Sequence, residues 1–410
     1  MKKDHNRTDT RINTSSRAIE SLSNLILNCE ILNHVLEGKK ITFQDAIDVF
    51  NISRCNPAEL FNTAQILRNT NKKNIVTFSK KVFFNIVNLC RDVCSYCTYK
   101  AEPGEPKLSM MNKNDVVQLA LLAKKYRCVE ALFVTGERPE ERYDGARKWL
   151  KDNGFSSTAE YLVSCSEIAL ENGLFPHTNA GNLTKNEMND LRKTNSSVGL
   201  MLENSSERFL EKNMPHQFAP SKKPKERLRV LENAGELGIP MTTGILIGIG
   251  ETENEIIESI FAIKKIHDRF GNIQEIILQN FQPKIDTIMS DFPPVAENYF
   301  KRIVALTRII MPEMNIQIPP NLSPKSYQSF LSVGINDWGG ISPLTPDYVN
   351  PEFLWPRIQN VEENCQKEGF ELKARFPVYP EFFSFVDSKI RDKMSEIQDD
   401  EGFVKREYWK

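Results

Sequence analysis

No stretch of this chain reaches the about 18 consecutive apolar residues that a membrane-spanning helix needs, and neither sign of charge is in excess. Lysine and arginine number 53 against 54 aspartate and glutamate, a formal net charge of −1. That balance gives no electrostatic footing for nucleic acid or an anionic membrane, so neither is expected as a partner. The start, Met1-Lys2-Lys3-Asp4-His5-Asn6-Arg7, lacks the apolar core of a secretory signal. Internal repeats and low-complexity segments are missing too. The eight cysteines do not read as a secreted disulfide framework. These absences lead to the expectation of a soluble protein of a reducing cytoplasm. Its 410 residues suffice for one large barrel with an appendage, or for two domains.

What is present is concentrated in one loop, Asn88-Leu89-Cys90-Arg91-Asp92-Val93-Cys94-Ser95-Tyr96-Cys97, which follows directly on the β-rich run Val82–Val87. Three closely spaced thiols at the end of a strand can converge on one small object. Structural zinc takes four protein ligands and ferredoxin-type [4Fe–4S] sites take four cysteines. Yet the next cysteine is Cys128 and the next histidine His177. Three thiolates without a fourth imply a cubane with one iron left open to a small molecule; a zinc loop or three buried thiols are the plainer readings. Cys55, Cys128, Cys165 and Cys365 have no partners at metal spacing and are expected as buried hydrophobes.

Along the rest of the chain, residues 1–15 are polar and expected to be disordered. Residues 16–75 carry helical periodicity, with an amphipathic helix over Ser16–Glu37, a capped start at Thr42-Phe43-Gln44-Asp45 and another at Asn56-Pro57-Ala58-Glu59. From Val82 short β-rich runs alternate with amphipathic helices. The runs are Val82–Val87, Glu130–Thr135, Phe175–Asn179, Val198–Glu203, Met241–Ile247, Gln274–Gln279, Asn315–Pro319 and, weakest, Ser332–Asn336. That rhythm predicts an α/β fold, a (β/α)8 TIM-type barrel over 76–342 behind an N-terminal helical preface. A doubly wound open sheet is the other architecture such alternation allows. Beyond residue 343, prolines and aromatics predict a C-terminal extension, 343–410, that wraps the barrel; its charged tail after Arg391 reads as frayed or as a surface helix.

The spacing of Cys90, Cys94 and Cys97, with Tyr96 just before the last, resembles the cluster loop of the radical S-adenosylmethionine (SAM) enzymes. The resemblance implies a [4Fe–4S] cluster whose open iron takes the amino and carboxylate groups of SAM, with Tyr96 against the adenine. Thr135-Gly136-Glu137 then corresponds to the turn that receives the SAM amino group. Gly248 and Ile249, in a glycine-rich segment without the spacing of a dinucleotide loop, correspond to the segment that holds adenine through its main chain. Glu203 is similar to the acid that takes the ribose hydroxyls, and Arg227 to the arginine that pairs with the SAM carboxylate; a solvated helix charge is the bland alternative for Arg227.

From about Val82 to Phe382 the chain resembles one branch more closely, the 7,8-didemethyl-8-hydroxy-5-deazariboflavin synthases. The telling segments are Gly136-Glu137-Arg138-Pro139-Glu140, Ile276–Phe281 and Gly334-Ile335-Asn336-Asp337-Trp338-Gly339-Gly340-Ile341-Ser342-Pro343. Glu137 stands where that family often has Asp, and Ala180 where Pro is common. The resemblance implies a lyase that acts on a 4-hydroxybenzyl adduct of a ribitylaminouracil made by a tyrosine-coupling partner enzyme. Ring closure with loss of ammonia gives the deazaflavin, and a low-potential donor of ferredoxin or flavodoxin type supplies the electron. Such a substrate calls for neutral donors and acceptors, and Gln279, Asn280, Asn321, Asn336 and Asp337 are the candidates; each can equally cap a turn. His177 is a candidate to orient substrate or move a proton, although a lone histidine is more often a satisfied core residue. Related chemistries (the tyrosine-coupling enzyme, a futalosine-type enzyme) and a metal-stabilised binding or electron-carrying protein are the alternatives.

Overall fold

A computed structural model describes residues 30–410. Eight parallel strands follow one another in chain order: β1 (Ile75–Val87), β2 (Glu130–Thr135), β3 (Phe175–Asn179), β4 (Ser197–Gly199), β5 (Met241–Ile247), β6 (Ile273–Asn280), β7 (Asn315–Gln317) and β8 (Asp337–Ile341). β1 pairs on one side with β2, Phe84 opposite Phe133, and on the other with β8, Ser79 opposite Gly340. The sheet therefore closes on itself and the open, doubly wound alternative is excluded. A closed barrel leaves its strands no exposed edge. β5 reads Met-Thr-Thr-Gly-Ile-Leu-Ile and is buried throughout, as a strand covered on both faces must be.

The eighth strand is where the expected and observed elements part. Ser332–Asn336 is not a strand; Tyr327–Val333 is a short 3₁₀ helix, and β8 begins only at Asp337. Its Gly339-Gly340 pair looks like a turn in sequence, but both glycines sit in the strand because inward side chains pass over them. A Cβ on Gly339 would lie 2.1 Å from Gln317 Nε2, and one on Gly340 1.9 Å from Lys81 Cδ. β1 starts at Ile75, well before Val82. β4 ends at Gly199, and Glu203 returns only as an isolated bridge to Ile245.

The ends of the chain are joined to the barrel. The expected Ser16–Glu37 helix and the 1–15 start lie largely or wholly outside the described residues; residues 30–36 are helical. Helix Phe43–Ile52 starts at the expected Thr42/Asp45 capping box, and helix Ala58–Lys72 follows. From the latter Arg68, fully buried, donates to the carbonyls of Ile335, Lys73 and Ile75, locking the helix onto the barrel wall. A ninth strand, β9 (Glu371–Ala374), was not foreseen and pairs with the first residues of β1. The tail is not frayed, because Trp409 is buried edge-on against Phe78. Cys128, Cys165 and Cys365 are buried as expected, but Cys55, in the turn after helix Phe43–Ile52, is exposed. Among the described residues no helix is long and apolar enough to cross a membrane.

Candidate active site

The C-terminal ends of the strands surround a cavity of about 340 Å³. β1 delivers the cysteine loop to its rim. Main-chain hydrogen bonds fix that loop: Arg91 N–H to the Glu137 carbonyl (2.8 Å), Val93 N–H to that of Phe218 (2.8 Å) and Ser95 N–H to that of Pro215 (2.9 Å). Cys90, Cys94 and Cys97 all line the cavity, and among the described residues no other cysteine or histidine does. The Glu137 N–H donates to Cys90 Sγ at 3.2 Å. Burial pushes the Cys90 thiol up to about 11 and that of Cys94 higher still.

This donor set fits an iron–sulfur cluster better than one ion. Among the described residues no three metal-ligating side chains close on a single point, as zinc at about 2.3 Å from each sulfur requires. A cubane instead needs its cysteine sulfurs spread over separate corners, and its positive irons stabilise thiolates that burial alone disfavours.

Gly136 packs the second strand onto this loop. A Cβ there would lie 2.0 Å from the Leu89 carbonyl oxygen, so only glycine permits the approach. Glu137 is buried, its carboxylate accepting the Asn182 N–H at 3.1 and 3.2 Å, and burial raises its pKa. Thr135 Oγ1 and Asp92 Oδ2, both in cavity-lining residues, are buried without partners. Such atoms cost about 1–3 kcal/mol each until a polar ligand meets them.

On the facing wall Glu203 adopts a left-handed φ of +64° and forms an ion pair with Lys222, Nζ to Oε1 at 2.5 Å. Arg227 is not a solvated helix charge. It is buried, donating to the Ser221 carbonyl at 3.2 Å and to that of Met201, and so holds the two turns that carry Lys222 and Glu203. Tyr96 lies beside them with its hydroxyl 2.9 Å from His216 Nε2. Burial lowers His216 to about 2, so that ring is neutral.

The other candidates are distributed unevenly. Gln279 lines the cavity, whereas Asn280, its neighbour on β6, points the opposite way and donates to the Leu322 carbonyl at 3.1 Å. Gly248 and Ile249 do not line it; their N–H groups are taken by the Glu251 carboxylate at 2.6 and 2.8 Å. Ile249 nonetheless packs in the same apolar cluster as Tyr96. Asn321 binds Asp347 Oδ2 at 3.1 Å, pinning the segment after β8. Asn336 and Asp337 are far from the site, because β8 starts rather than ends there. Asn336 links Arg308 and Asn315, and Asp337 forms a buried ion pair with Arg375 at 2.7 Å. His177 lines an adjoining pocket of about 60 Å³ that shares Lys81, Leu132, Asn179, Ile277, Gln317 and Gly340 with the main cavity but holds none of its cysteines. Its Nδ1 is 2.6 Å from Ser197 Oγ, and burial lowers it to about 4.

The cavity also holds cations that sequence reasoning passed over: Lys81, Lys222 and Lys284. Lys222 stands five residues before Arg227, a proximity that offered a hint. Lys81 offered more, since a lysine two residues before Phe83 shares its inward face in a run otherwise destined for the core.

A closed parallel barrel with three cysteines and no fourth ligand at its mouth defines a radical SAM enzyme, and the family model for the Radical SAM superfamily matches residues 84–263. That superfamily works with a [4Fe–4S] cluster and S-adenosylmethionine. Within it, the chain belongs to the 7,8-didemethyl-8-hydroxy-5-deazariboflavin synthase family. It is 45% identical over 334 residues to the enzyme of that name from Methanopyrus kandleri, covering 81% of this chain and 100% of the relative. The Methanocaldococcus jannaschii enzyme is 42% identical over 360 residues, 87% and 98% of the two chains. The FO synthase of Nocardia farcinica is 39% identical over 364 residues, 86% of this chain but 42% of that longer one. Among solved structures, the hydrogenase maturase HydG from Carboxydothermus hydrogenoformans shares the fold at TM-score 0.69 and 19% identity, over 98% of this chain and 93% of that one. Methylornithine synthase does so at 0.65 and 17%, over 83% and 97%.

Proposed function

We propose that this chain closes the deazaflavin ring system, converting the 4-hydroxybenzyl adduct of ribitylaminouracil to 7,8-didemethyl-8-hydroxy-5-deazariboflavin with release of ammonia. The observation that carries this is the 45% identity over the whole length of a synthase of that name, joined to three cysteines on one cavity. When bound, the cluster and SAM supply a 5′-deoxyadenosyl radical that removes a hydrogen atom from the substrate.

The chain's own residues do the rest. Cys90, Cys94 and Cys97 hold the cluster. The unpartnered Thr135 hydroxyl and Asp92 carboxylate oxygen suit the SAM ammonium, beside Gly136 and Glu137. Glu203 suits the ribose diol, and Lys222, oriented by it, suits the SAM carboxylate; Arg227 supports both turns from behind. Tyr96 and Ile249 offer an apolar surface for the adenine. Gln279 and Gln317 also line the cavity, and a uracil edge and a polyol need neutral donors and acceptors of this kind. A primary alkyl radical attacks almost any C–H bond, so walls that exclude water and fix one C–H are the protein's main contribution.

The adduct would come from a tyrosine-coupling enzyme and the electron from a low-potential donor of ferredoxin or flavodoxin type, in a reducing cytoplasm where thiols persist. The test is anaerobic reconstitution with iron and sulfide, then SAM, reductant and adduct. Deazaflavin fluorescence is expected from the wild type and none from Cys94→Ala. If tyrosine and ribitylaminouracil were consumed instead, the tyrosine-coupling reading would replace this one.

A further inference from the structure

Among the described residues four cationic side chains line the cavity, and three are tied down. Lys222 pairs with Glu203, Arg227 holds two carbonyls, and Lys284 donates to the Val349 carbonyl at 2.6 Å. Lys81 is different. It is 8% exposed and forms no hydrogen bond or ion pair with any described residue. Its contacts are two aromatic faces, with Nζ 4.3 Å from the Phe83 ring centre and 5.2 Å from that of Trp355. Gly340 makes the space: a Cβ there would lie 2.4 Å from the lysine nitrogen. Charged and titratable groups surround it at longer range, Glu130 on β2, His177 on β3, Glu275 on β6, Asp347 in the segment after β8, and Arg375 after β9. A buried ammonium with no carboxylate in ion-pair contact is costly to keep charged, so the fold maintains an expensive group at the substrate cavity. Desolvation lowers its pKa from the ordinary lysine range.

We propose that Lys81 is the proton-transfer residue of the ring-closing reaction, serving the substrate rather than SAM; this rests on the functional reading above. The reaction breaks one C–N bond, the electron pair leaving on nitrogen, forms one C–N bond to the phenol ring, and makes the new ring aromatic with loss of two protons, one of them from the ring carbon that bonds nitrogen. The Lys81 amine accepts that proton as the ring closes. Its ammonium then gives the proton to the departing nitrogen, which leaves as ammonia, and the lysine ends as it began; the second proton is taken up by the released ammonia or by water. The hydrogen atom and the electron also removed belong to the radical chemistry of the family. Phe83 and Trp355, flanking the nitrogen, keep water away and provide flat surfaces for the substrate rings.

The experiment compares Lys81→Met and Lys81→Arg with the wild-type holoenzyme, reading deazaflavin formed per 5′-deoxyadenosine, the pH dependence of kcat, and product affinity by fluorescence on the apoprotein. Both variants are expected to lower the deazaflavin ratio about a hundredfold or more, because a guanidinium does not give up its proton. The alkaline-rising limb of the wild-type profile should vanish in both, while product affinity falls far less than the ratio. Lys81→Arg keeps charge and length and carries the test if Lys81→Met does not fold. Wild-type turnover in Lys81→Arg, or a loss confined to KM, overturns the assignment. A wild type that makes no deazaflavin overturns the functional reading first.

Discussion

Lys222 Nζ lies 2.5 Å from Glu203 Oε1 at the cavity wall, and both side chains are nearly buried, 13% and 9% exposed. Lys222→Met should leave the carboxylate buried and uncompensated, costing the apoprotein roughly 3 kcal/mol. Adding Glu203→Gln should recover part of that loss, so urea unfolding of the four members of the cycle should be non-additive. Additive losses would mean the two side chains do not act as a pair. Both single variants should also weaken SAM binding to the reconstituted enzyme.

Gly136→Ala tests the seam between β2 and the cysteine loop. The new Cβ meets backbone, the Leu89 carbonyl oxygen at 2.0 Å and Cys90 Cα at 2.8 Å, and backbone cannot swing aside. A destabilisation of about 2–3 kcal/mol is expected, with cluster loading well below that of the wild type by iron analysis. Full loading at unchanged stability would contradict the close approach.

Arg375 is fully enclosed between two carboxylates, Asp337 at 2.7 Å and Glu275 at 3.1 Å, and Tyr379 donates to the same Glu275 at 2.9 Å. Arg375→Met leaves two buried acids facing each other and should cost about 3–5 kcal/mol in urea unfolding. Asp337→Asn, although it touches the sequence segment most typical of the family, should lower the yield of folded protein more than the kcat of what folds.

His177 predicts a pH dependence of stability. Burial depresses its pKa to about 4 in the folded protein, against about 6.5 in an unfolded chain. The unfolded state therefore binds more protons between these values. The His177 contribution is complete above about pH 6.5 and is lost as pH falls toward about 4, by roughly 3 kcal/mol. His177→Gln should flatten that part of the stability curve, measured as urea midpoints between pH 4 and 7, and leave the neutral limb of the activity profile in place.

The cluster loop was legible because it is local: three cysteines within ten residues of a strand end stay together in any fold that forms the strand. Helix starts were legible for the same reason, as at Thr42 and Asp45, where the cap contacts span three residues. Strand ends were less so. Misplacing β8 by a few residues moved Asn336 and Asp337 from the wrong end of the barrel to its mouth, since a strand of five residues carries its ends about 17 Å apart. Gln279 and Asn280 show the finer version, one residue deciding which face a side chain serves.

The sequence by itself determined the alternation of strand and helix, the three thiols and the missing fourth, because these depend on neighbours along the chain. Only the tertiary structure decided which cations meet which acids. Lys222 rather than Arg227 came to Glu203, Arg375 came to Asp337 from beyond the barrel, and Lys81 was left with aromatic faces alone. Such pairings depend on strand register and barrel closure, which bring together residues tens to hundreds of positions apart and give no signal in local spacing.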